Sequence, residues 1–250
     1  MKDVQFIGLS KTFTDARGKP VEALKDIHLT FPDGGVTCIV GASGCGKSTL
    51  LRIVAGLDPV YEGTVQLGGQ PILRPGLDRG IVFQDHRLVP WMTVRENVAL
   101  ALHRLAPRAR EAIVREKLAL VGLEGFAHTY PAQLSGGMAQ RVAIARALAH
   151  QPGVLLMDEP FGALDALTRL QLQDELLRIR ESARMTTLLV THDIEEALYL
   201  GDRVVVLSSR PGQVLITLDV PLARPRNRMH PDFLSLRLSL YQRFFSRPNA

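Results

Sequence analysis

The chain has 250 residues, 46% of them hydrophobic, and a formal net charge of +5 at pH 7. This length and apolar content suffice for one substantial core or for two small lobes that share an interface. The longest unbroken apolar run, Val98 to Leu102, is far shorter than the roughly 18 residues that a membrane-spanning helix needs. We therefore expect a globular protein that does not cross a bilayer.

The amino end and the cysteines predict the compartment. The stretch MKDVQFIGLS has an acid at Asp3 and a glycine at Gly8, where a secretory signal would have a continuous apolar core. Cys38 and Cys45 have no third or fourth partner for a zinc site, and two cysteines do not make a disulfide framework. We expect the chain to remain in the cytosol with both thiols reduced.

The positive charge is concentrated at the carboxyl end. Residues 221–250 contain one acid, Asp232, and six arginines, which together account for the whole net charge of +5. A nucleic-acid-binding protein would be expected to carry a basic face on its folded body instead. A basic tail suits a membrane surface, an acidic partner or simple solvation. The six arginines are Arg224, Arg226, Arg228, Arg237, Arg243 and Arg247.

Short β-branched segments alternate with helical patterns along most of the chain, which predicts an α/β fold. The predicted strands are Val36–Val40, Gly80–Phe83, Val154–Met157, Thr187–Thr191, Val204–Leu207 and Val214–Leu218. Between Gln84 and Gln151 no clear strand appears. Three stretches there have apolar residues at helical spacing, namely VRENVALALHRLA, AREAIVREKLALVGL and GGMAQRVAIARALAH. This pattern predicts a helical subdomain inserted into the α/β core.

The last predicted element, FLSLRLSLYQRFF, follows a linker rich in proline and arginine. Its leucines alternate as in a strand, but its apolar residues also form a helical stripe, made of Leu234, Leu238, Tyr241 and Phe245. Asp232 follows a proline and is suited to cap a helix, which favours a helix. Two roles stay open: attraction to anionic lipids, at about 1 kcal/mol per basic residue, or packing of the stripe against the core.

The stretch GASGCGKST, Gly41 to Thr49, matches the phosphate-binding pattern G-x-x-x-x-G-K-[ST] between a predicted strand and a helical run. Wrapping backbone N–H groups around a phosphate requires strained φ angles, which its three glycines tolerate. Lys47 supplies a charge toward the β- and γ-phosphates, and the Ser48 hydroxyl is placed to ligate Mg²⁺. The predicted nucleotide-binding residues are Gly41, Ser43, Gly44, Cys45, Gly46, Lys47, Ser48 and Thr49.

Two adjacent acids end a second apolar strand, in VLLMDEPFGALD. Asp158 is placed to reach the shell of the Mg²⁺ ion. Glu159, one residue further on, is placed to polarise a water for in-line attack on the γ-phosphate. The pair therefore predicts hydrolysis of the bound nucleotide.

Five motifs follow one another in this chain: the phosphate loop, LSGGMAQR, LLMDEP, ALD and the histidine of LLVTHD. In this order they resemble the ATP-binding subunit of ABC transporters, from about Val4 to Leu218. The resemblance implies an ATPase with a P-loop NTPase (RecA-like) α/β core, an N-terminal antiparallel β subdomain and an inserted α-helical subdomain at about 85–151. The ATPase domain would span residues 1–220, and residues 221–250 would be a basic extension with a linker and one helix.

The resemblance also implies a dimer. The family's signature motif, here Ser135, Gly136 and Gly137 with Gln140, would close over the γ-phosphate of an ATP held by the partner in a head-to-tail homodimer. The glycines would present bare N–H groups of a helix N-terminus to that anion, and a Cβ on either would hold the two backbones apart. The alternative is a serine cap followed by two flexible glycines.

The remaining family positions carry over one at a time. Gln84 corresponds to the glutamine that senses Mg²⁺ and the attacking water, and His192 to the histidine that contacts the γ-phosphate. Asp165 corresponds to the acid by which one subunit reports on the other's site. Phe13 lies where the family has an aromatic residue that stacks on adenine, although a core phenylalanine is the alternative. The expected catalytic residues are Glu159, His192, Gln84 and Lys47, and the expected metal ligands are Ser48, Gln84 and Asp158.

Three stretches indicate the branch of the ABC transporter family. They are FQDHRLVPWMTVRENVALAL, DEPFGALDALTRLQLQ and LSSRPGQV. These stretches resemble the ATPases that energise import of sulfonates, taurine and nitrate, with a lean toward aliphatic sulfonates. A single cassette implies separate permease subunits, an extracytoplasmic solute-binding protein acting through them, and a peripheral position at the cytoplasmic face of the cell (inner) membrane. Leu88, Pro90 and Trp91 are expected to line the permease-docking surface, with exposed filler as the alternative.

ABC-type ATPases that act on nucleic acid or ribosomes are the competing class. A DNA-repair ATPase would need a long insertion between the phosphate loop and the signature, and this chain has no room for one. A translation factor would normally carry two cassettes, and a non-hydrolysing module would be expected to lack the acid at Glu159. We therefore expect an importer ATPase that uses ATP and Mg²⁺ and has no nucleic-acid partner.

Overall fold

The computed structural model describes residues 3–183 and 185–245, and within these it leaves out the side chains of 181–183 and 244–245. The described strands are β1 (Val4–Thr14), β2 (Pro20–Phe31), β3 (Val36–Val40), β4 (Glu62–Leu67), β5 (Gln70–Pro71), β6 (Arg79–Val82), β7 (Val154–Asp158), β8 (Thr186–Thr191), β9 (Arg203–Leu207) and β10 (Val214–Asp219). The helices are α1 (Lys47–Val54), α2 (Val94–Ala99), α3 (Pro107–Leu120), α4 (Gly136–Leu148), α5 (Ala166–Ala183), α6 (Ile194–Leu200) and α7 (Pro231–Phe245).

The chain divides into two compact units. The first contains the residues up to Pro75 and those from Thr186 onward, and the second is Gly76–Met185. No helix in the described part of either unit is long and apolar enough to span a membrane.

The first unit begins with an antiparallel sheet in the order β2-β1-β4-β5. Buried residues alternate along β1 on either side of one irregularity between Phe6 and Leu9, as expected for a sheet with one face on a core. The rings of Phe6 and Phe31 meet edge to face with centroids 5.2 Å apart and close the core beneath β1 and β2. This sheet confirms the predicted N-terminal antiparallel subdomain.

The same unit contains parallel strands, with β3 paired to β8 on one side and to β9 on the other. Every residue of β3 and β8 is buried, which explains why both read as continuous apolar or β-branched runs. Strand β10 pairs antiparallel with β9. The four predicted strands of this region are confirmed, and their observed bounds differ by no more than one residue at either end.

The second unit pairs β6 with β7 in parallel, contains helices α2 to α5 and packs α4 against β6. All residues of 84–151 are described and none is in a strand, which confirms the predicted helical segment. The stretch VRENVALALHRLA was expected to be one helix, but α2 ends at Ala99 and a single 3₁₀ turn follows. Pro107, the first residue of α3, keeps Ala106 extended at ψ 146°, so the preceding turn cannot continue into α3.

The extension after residue 220 ends in helix α7, as predicted, but two details of that prediction are wrong. The helix begins at Pro231, so Asp232 lies in its first turn and is not the N-cap. The predicted apolar stripe is also not the buried face of the helix. Leu238 is 59% exposed and Tyr241 39%, whereas Phe233 and Leu240 are buried. Helix α7 packs against α6, so the extension belongs to the core of its unit through a neighbouring face. The side chain of Phe245 and all of Arg247 lie outside the described residues.

Both cysteines are free and buried. Burial raises the pKa of the Cys38 thiol far above its usual range, so this thiol stays protonated at neutral pH. These findings agree with the expectation of two reduced thiols.

Candidate nucleotide-binding site

The phosphate loop connects buried strand β3 to helix α1, as the sequence predicts. Lys47 is only 4% exposed. Its Nζ atom donates hydrogen bonds to the carbonyl oxygens of Gly41, at 2.8 Å, and of Ala42, at 3.0 Å. The lysine is therefore folded over the loop, which places its charge inside the turn rather than in solvent.

The three loop glycines serve different needs. Gly44 and Gly46 have φ of 78° and 100°, in the left-handed region that the prediction requires. Gly41 does not, so the expected strain at this residue is wrong. Its need is space, because a Cβ on Gly41 would lie 2.6 Å from the Cys45 sulfur and 3.3 Å from the carbonyl oxygen of Leu207.

The N-terminus of α1 is suited to an anion. No side chain caps it and no acid lies in its first turn, whereas Thr93 caps α2 and Asp193 caps α6. Backbone N–H groups and the positive end of the helix dipole therefore converge on a turn with no negative side chain of its own. The loop fits a phosphate group. Of its other predicted contacts, Ser43 and Ser48 are exposed, Thr49 is half-buried and Cys45 is buried.

A segment that follows β9 supports the loop, and our sequence reasoning missed it. Arg210 donates from Nε and Nη2 to the carbonyl oxygen of Gly44, each at 3.4 Å. A Cβ on Gly212 would lie 2.1 Å from the carbonyl oxygen of Cys45, so only glycine permits this approach. Both residues lie in LSSRPGQV, whose glycine and proline were a local signal of a tight turn.

His192 leaves the sheet at the same edge as the phosphate loop. Strands β3 and β8 are parallel, and Val40 pairs with Thr191, so Gly41 and His192 are the next residues along each strand. His192 is exposed. The first unit therefore brings the predicted γ-phosphate contact to the edge where the loop is formed.

Phe13 lies near the end of β1 and is 42% exposed. This exposure excludes the alternative of an ordinary core phenylalanine. The Nζ atom of Lys11 lies 4.6 Å from the centroid of its ring, and that lysine is itself paired with Asp58 at 2.7 Å. The ring is thus held by a neighbouring cation while one part of its surface remains open for stacking.

The second unit brings Gln84 and Glu159 together. Strands β6 and β7 are parallel and Val82 pairs with Met157, so both residues emerge at one edge. A Cβ on Gly162 would lie 3.9 Å from Glu159 Oε2 and 4.0 Å from Gln84 Nε2. Gln84 is exposed, and it lies two residues beyond the end of its strand rather than at its last position.

Two acids end β7, and the second has a strained backbone. Asp158 and Glu159 are both half-buried. Glu159 has a φ of 42°, and such left-handed conformations cost a residue with a Cβ on the order of 1–3 kcal/mol. Strain of this kind persists where the surrounding structure imposes it, and it is concentrated at active sites. The geometry therefore favours a functional role for this carboxylate.

The signature residues begin helix α4. Ser135 is the N-cap, and its Oγ accepts a hydrogen bond from the N–H of Met138 at 3.3 Å. A Cβ on Gly137 would lie 2.5 Å from the Thr168 methyl carbon, whereas one on Gly136 would make only an ordinary 3.6 Å contact. The second glycine is thus explained by packing within its own unit, and only Gly136 is exposed. This corrects the expectation that both glycines serve the approach of a partner.

Gln140 is buried, although the resemblance predicts a ligand contact for it. It is 4% exposed, and its Nε2 has no hydrogen-bond partner among the described residues. This burial gives no support to the expected contact with a partner's ATP, which stays a prediction.

Asp165 precedes α5 and is exposed. Its Oδ1 accepts a hydrogen bond from the N–H of Thr168 at 3.0 Å. This hydrogen bond from the Thr168 backbone, with a second from the Thr168 side chain, lowers the pKa of the Asp165 carboxyl, so it is ionised at neutral pH. Asp165 therefore stabilises the start of its own helix, whatever it does toward a partner.

The expected permease-docking residues differ in exposure. Trp91 is 76% exposed and Pro90 is exposed, but Leu88 is only 8% exposed and belongs to the core. The expectation for Leu88 is therefore wrong. Asn97, which is fully buried, holds this segment by accepting from the N–H of Val89 at 2.7 Å.

The donor types of the predicted metal ligands fit Mg²⁺. Among the residues that the structure describes, no group of three or more histidine, cysteine and acidic side chains could hold a metal ion. The predicted set is instead a hydroxyl of Ser48, an amide oxygen of Gln84 and one carboxylate of Asp158. Mg²⁺ is typically held by one or two carboxylates together with substrate phosphates and water.

Comparison with known proteins gives several close relatives. The ABC transporter family profile matches residues 24–162. The aliphatic sulfonates import ATP-binding protein SsuB of Bacillus subtilis (strain 168) is 47% identical over 227 residues, covering 91% of this chain and 89% of that protein. The nitrate import ATP-binding protein NrtD of Synechococcus elongatus is 47% identical over 254 residues, covering 96% and 92%.

A solved structure matches the fold. It is the dimeric post-hydrolysis state of the ATP-binding cassette MJ0796 bound to ADP and Pi, 34% identical with a TM-score of 0.76, covering 88% of this chain and all of that one. This match confirms the predicted P-loop NTPase core with its β and helical subdomains. The chain therefore belongs to the ABC transporter family, as one of its ATP-binding cassettes.

Proposed function

We propose that this chain is the ATP-hydrolysing subunit of an ABC importer and that it works as a head-to-tail homodimer. The observation that carries the proposal is the presence, in one chain, of two complementary features. One is the uncapped N-terminus of α1 with the buried Lys47, which suits the phosphates. The other is the strained Glu159 beside Gln84, which suits the attacking water.

Binding is assigned to the phosphate loop and to Phe13. The N–H groups that begin α1 would hold the β- and γ-phosphates, and Lys47 would neutralise part of their charge. The exposed part of the Phe13 ring would stack on adenine. Mg²⁺, held by Ser48, Gln84 and Asp158, would supply charge neutralisation at the β- and γ-phosphate oxygens.

Hydrolysis is assigned to Glu159. Its carboxylate would accept a proton from a water molecule as the water oxygen attacks the γ-phosphorus. The bond between that phosphorus and the β–γ bridging oxygen breaks, and the products are ADP and phosphate. Gln84 would orient the water, and His192 would donate a hydrogen bond to the γ-phosphate.

The dimer is proposed because α4 begins with an exposed glycine and has no cation in its first turn. Ser135 and Gly136 would present N–H groups to the γ-phosphate of the partner's ATP. Asp165 would report on the partner's site. Two copies related by a two-fold axis would make each contact twice and enclose two ATP molecules.

The proposed cargo is a small anion such as an aliphatic sulfonate, taurine or nitrate, carried through separate permease subunits. Two relatives with the same identity, named for aliphatic sulfonates and for nitrate, support an anion of this size class. Pro90 and Trp91 would dock the permease, and the chain would then lie at the cytoplasmic face of the inner membrane. A solute-binding protein would deliver the anion to the outer side of the permease.

A role on nucleic acid or ribosomes is less well supported, because most described arginines of the extension are held by their own unit. Arg224, Arg226 and Arg237 each contact groups of that unit, and Arg243 is exposed. The described part of the extension therefore does not form the basic face that nucleic-acid binding requires.

A single substitution tests the proposed function. Glu159→Gln keeps the shape of the side chain but cannot accept the proton, so ATP should bind without turnover and lock two subunits together. We expect a dimer in size-exclusion chromatography with ATP and Mg²⁺, and a monomer for the matched double variant that also carries Lys47→Ala. A Glu159→Gln variant that hydrolyses ATP at the parental rate would contradict the proposal.

A further inference from the structure

Four arginines of the C-terminal extension converge on one short helix, α6. We name them the arginine clamp, and they are Arg224, Arg226, Arg228 and Arg237. Sequence patterns assign no function to them beyond positive charge. In the structure every one of them contacts α6 or the residues that immediately follow it.

Two members of the clamp bind the carboxyl end of α6. Arg226 is 8% exposed, and its Nη1 donates to the carbonyl oxygens of Leu198, at 2.7 Å, and Tyr199, at 3.1 Å. Arg224 donates to the carbonyl oxygen of Leu200. The last carbonyls of a helix have no partner within it and carry the negative end of its dipole, so two guanidinium groups stabilise this end.

The clamp is also anchored to the strand that leads to the phosphate loop. Arg224 donates to Asp202 Oδ1 at 2.9 Å. The other carboxylate oxygen of Asp202 accepts from the N–H of Val36, the first residue of β3, at 2.9 Å. The carboxyl end of α6 and the start of β3 are therefore joined through one ion pair.

The other two members bind side chains of α6. The guanidinium carbon of Arg228 lies 3.3 Å from the centroid of the Tyr199 ring. Arg237, from helix α7, donates to the Glu195 carboxylate, and Arg228 approaches the same carboxylate at 3.7 Å. The clamp thus contacts both ends of a helix of only seven residues, which is too short to be stable by itself.

His192 lies directly before the N-cap of helix α6. The histidine lies between Thr191, the last residue of β8, and Asp193, the N-cap of α6. Asp193 Oδ1 accepts from the N–H groups of Glu195, at 2.8 Å, and Glu196, at 3.2 Å, and its own N–H donates to Thr191 Oγ1 at 3.0 Å. A displacement of α6 must therefore move the backbone on which His192 is placed.

We propose that the C-terminal extension is a positioning element for His192, acting through the arginine clamp on α6. The inference rests on the proposed contact of His192 with the γ-phosphate and goes beyond it. It gives the basic extension a function in the catalytic step and requires neither a membrane surface nor an acidic partner.

Arg237→Met is the main test, since this ion pair is partly exposed and its loss leaves the buried arginines in place. The matched control is Arg243→Met, at an exposed position of the same helix. We expect kcat of the Arg237 variant to fall about threefold to tenfold while Kd for ATP in the absence of Mg²⁺ stays within about twofold. The control should match the parent in both quantities. Arg226→Lys, which keeps the charge but loses the planar fork, should show the same split.

Two outcomes would overturn the inference. One is a parental kcat in the Arg237 variant, and the other is an equal loss in kcat and in affinity for ATP. A lowered melting temperature with unchanged kcat per folded subunit would reduce the extension to a stabilising segment and also count against it. A different result would contradict the proposed contact of His192 with the γ-phosphate. If the His192→Ala variant hydrolysed ATP at the parental rate, the histidine would have no role in hydrolysis.

Discussion

Two helix N-termini are assigned to the same phosphate groups, and they are built differently. Helix α1 begins after Gly46 with no capping side chain, and the buried Lys47 brings a positive charge to the turn. Helix α4 begins after Ser135, whose hydroxyl already caps the N–H of Met138, and its first turn holds no charge. The first end combines an uncapped N-terminus with a cation, whereas the second has neither feature.

The difference indicates a division of labour. An N-terminus with a cation and no capping side chain can hold phosphate alone, so α1 should bind ATP in an isolated subunit. An N-terminus that is partly capped and uncharged should add affinity only when another molecule brings the anion to it. The comparison therefore predicts that damage to α1 abolishes binding and turnover, while damage to α4 abolishes turnover alone.

Lys47→Ala should have the largest effect on the first end. The loop would lose its only side-chain cation toward the β- and γ-phosphates, so we expect kcat to fall about a hundredfold or more and ATP affinity to fall with it. The fold should survive with a modest loss of stability, because the buried carbonyl oxygen of Gly41 loses its hydrogen bond from Lys47. Parental hydrolysis in this variant would show that the assigned loop is wrong.

Gly136→Asp should damage the second end without unfolding it. A Cβ at this exposed position makes only a 3.6 Å contact, and an acid in the first turn favours its own helix. The same charge would repel the γ-phosphate of a partner's ATP. We expect hydrolysis to fall at least about tenfold with unchanged ATP affinity of the monomer. Gly136→Ala is the matched control and should lose much less of the hydrolysis rate. If the Gly136→Asp variant lost ATP affinity as a monomer, this glycine would belong to the ATP site of its own subunit.

Gly137→Ala should act on stability, because the new methyl group would meet the Thr168 methyl at 2.5 Å. We expect a loss of about 1–2 kcal/mol in the free energy of unfolding. The added Thr168→Ser change removes the opposing methyl, and the double variant should then gain the roughly 0.5–1 kcal/mol by which alanine exceeds glycine within a helix. Denaturant unfolding of the four-member cycle measures both terms, and additive effects would argue against the contact.

Helix α2 provides a third N-terminus, one that is capped entirely from within, and should show the smallest effect. Glu96 accepts from the N–H and the hydroxyl of Thr93, each at 2.8 Å, and the backbone hydrogen bond from Thr93 is the main cause of its lowered pKa. A lowered folded pKa gives stability that is present above the unfolded pKa and is lost as pH falls through the folded value. Glu96→Gln should therefore lower the melting temperature by at most a few degrees at pH 7, and the difference should shrink at acid pH. A difference that grows on acidification would contradict the assignment.

The sequence predicted the parts of the site that are local in the chain. The phosphate loop and the paired acids follow strands directly, so a contiguous motif was enough to place Lys47 and Glu159. Features that depend on distant neighbours were missed or misjudged. The need for glycine at Gly41 comes partly from Leu207, and the support of the loop comes from Arg210.

The same reason explains the errors of exposure. The helical period in the extension was visible, but the face that is buried depends on α6. The core-packing alternative would bury Leu238, which is exposed. Gln140 and Leu88 lie in motifs with a functional resemblance, yet both side chains are buried in their own unit, which those motifs did not indicate. The role of the basic charge in the extension was equally ambiguous. No sequence pattern shows that an arginine will donate to the last carbonyl oxygens of a helix, as Arg224 and Arg226 do.

The composite nature of the site is tested most directly by mixing two inactive variants. In a dimer of one Lys47→Ala subunit and one Gly136→Asp subunit, the intact loop of the second faces the intact signature of the first, so one of two sites is whole. Random pairing of equal amounts should then restore about a quarter of the parental ATPase activity, although neither variant is active alone. A mixture no more active than the sum of its components would contradict a site shared between two copies of the chain.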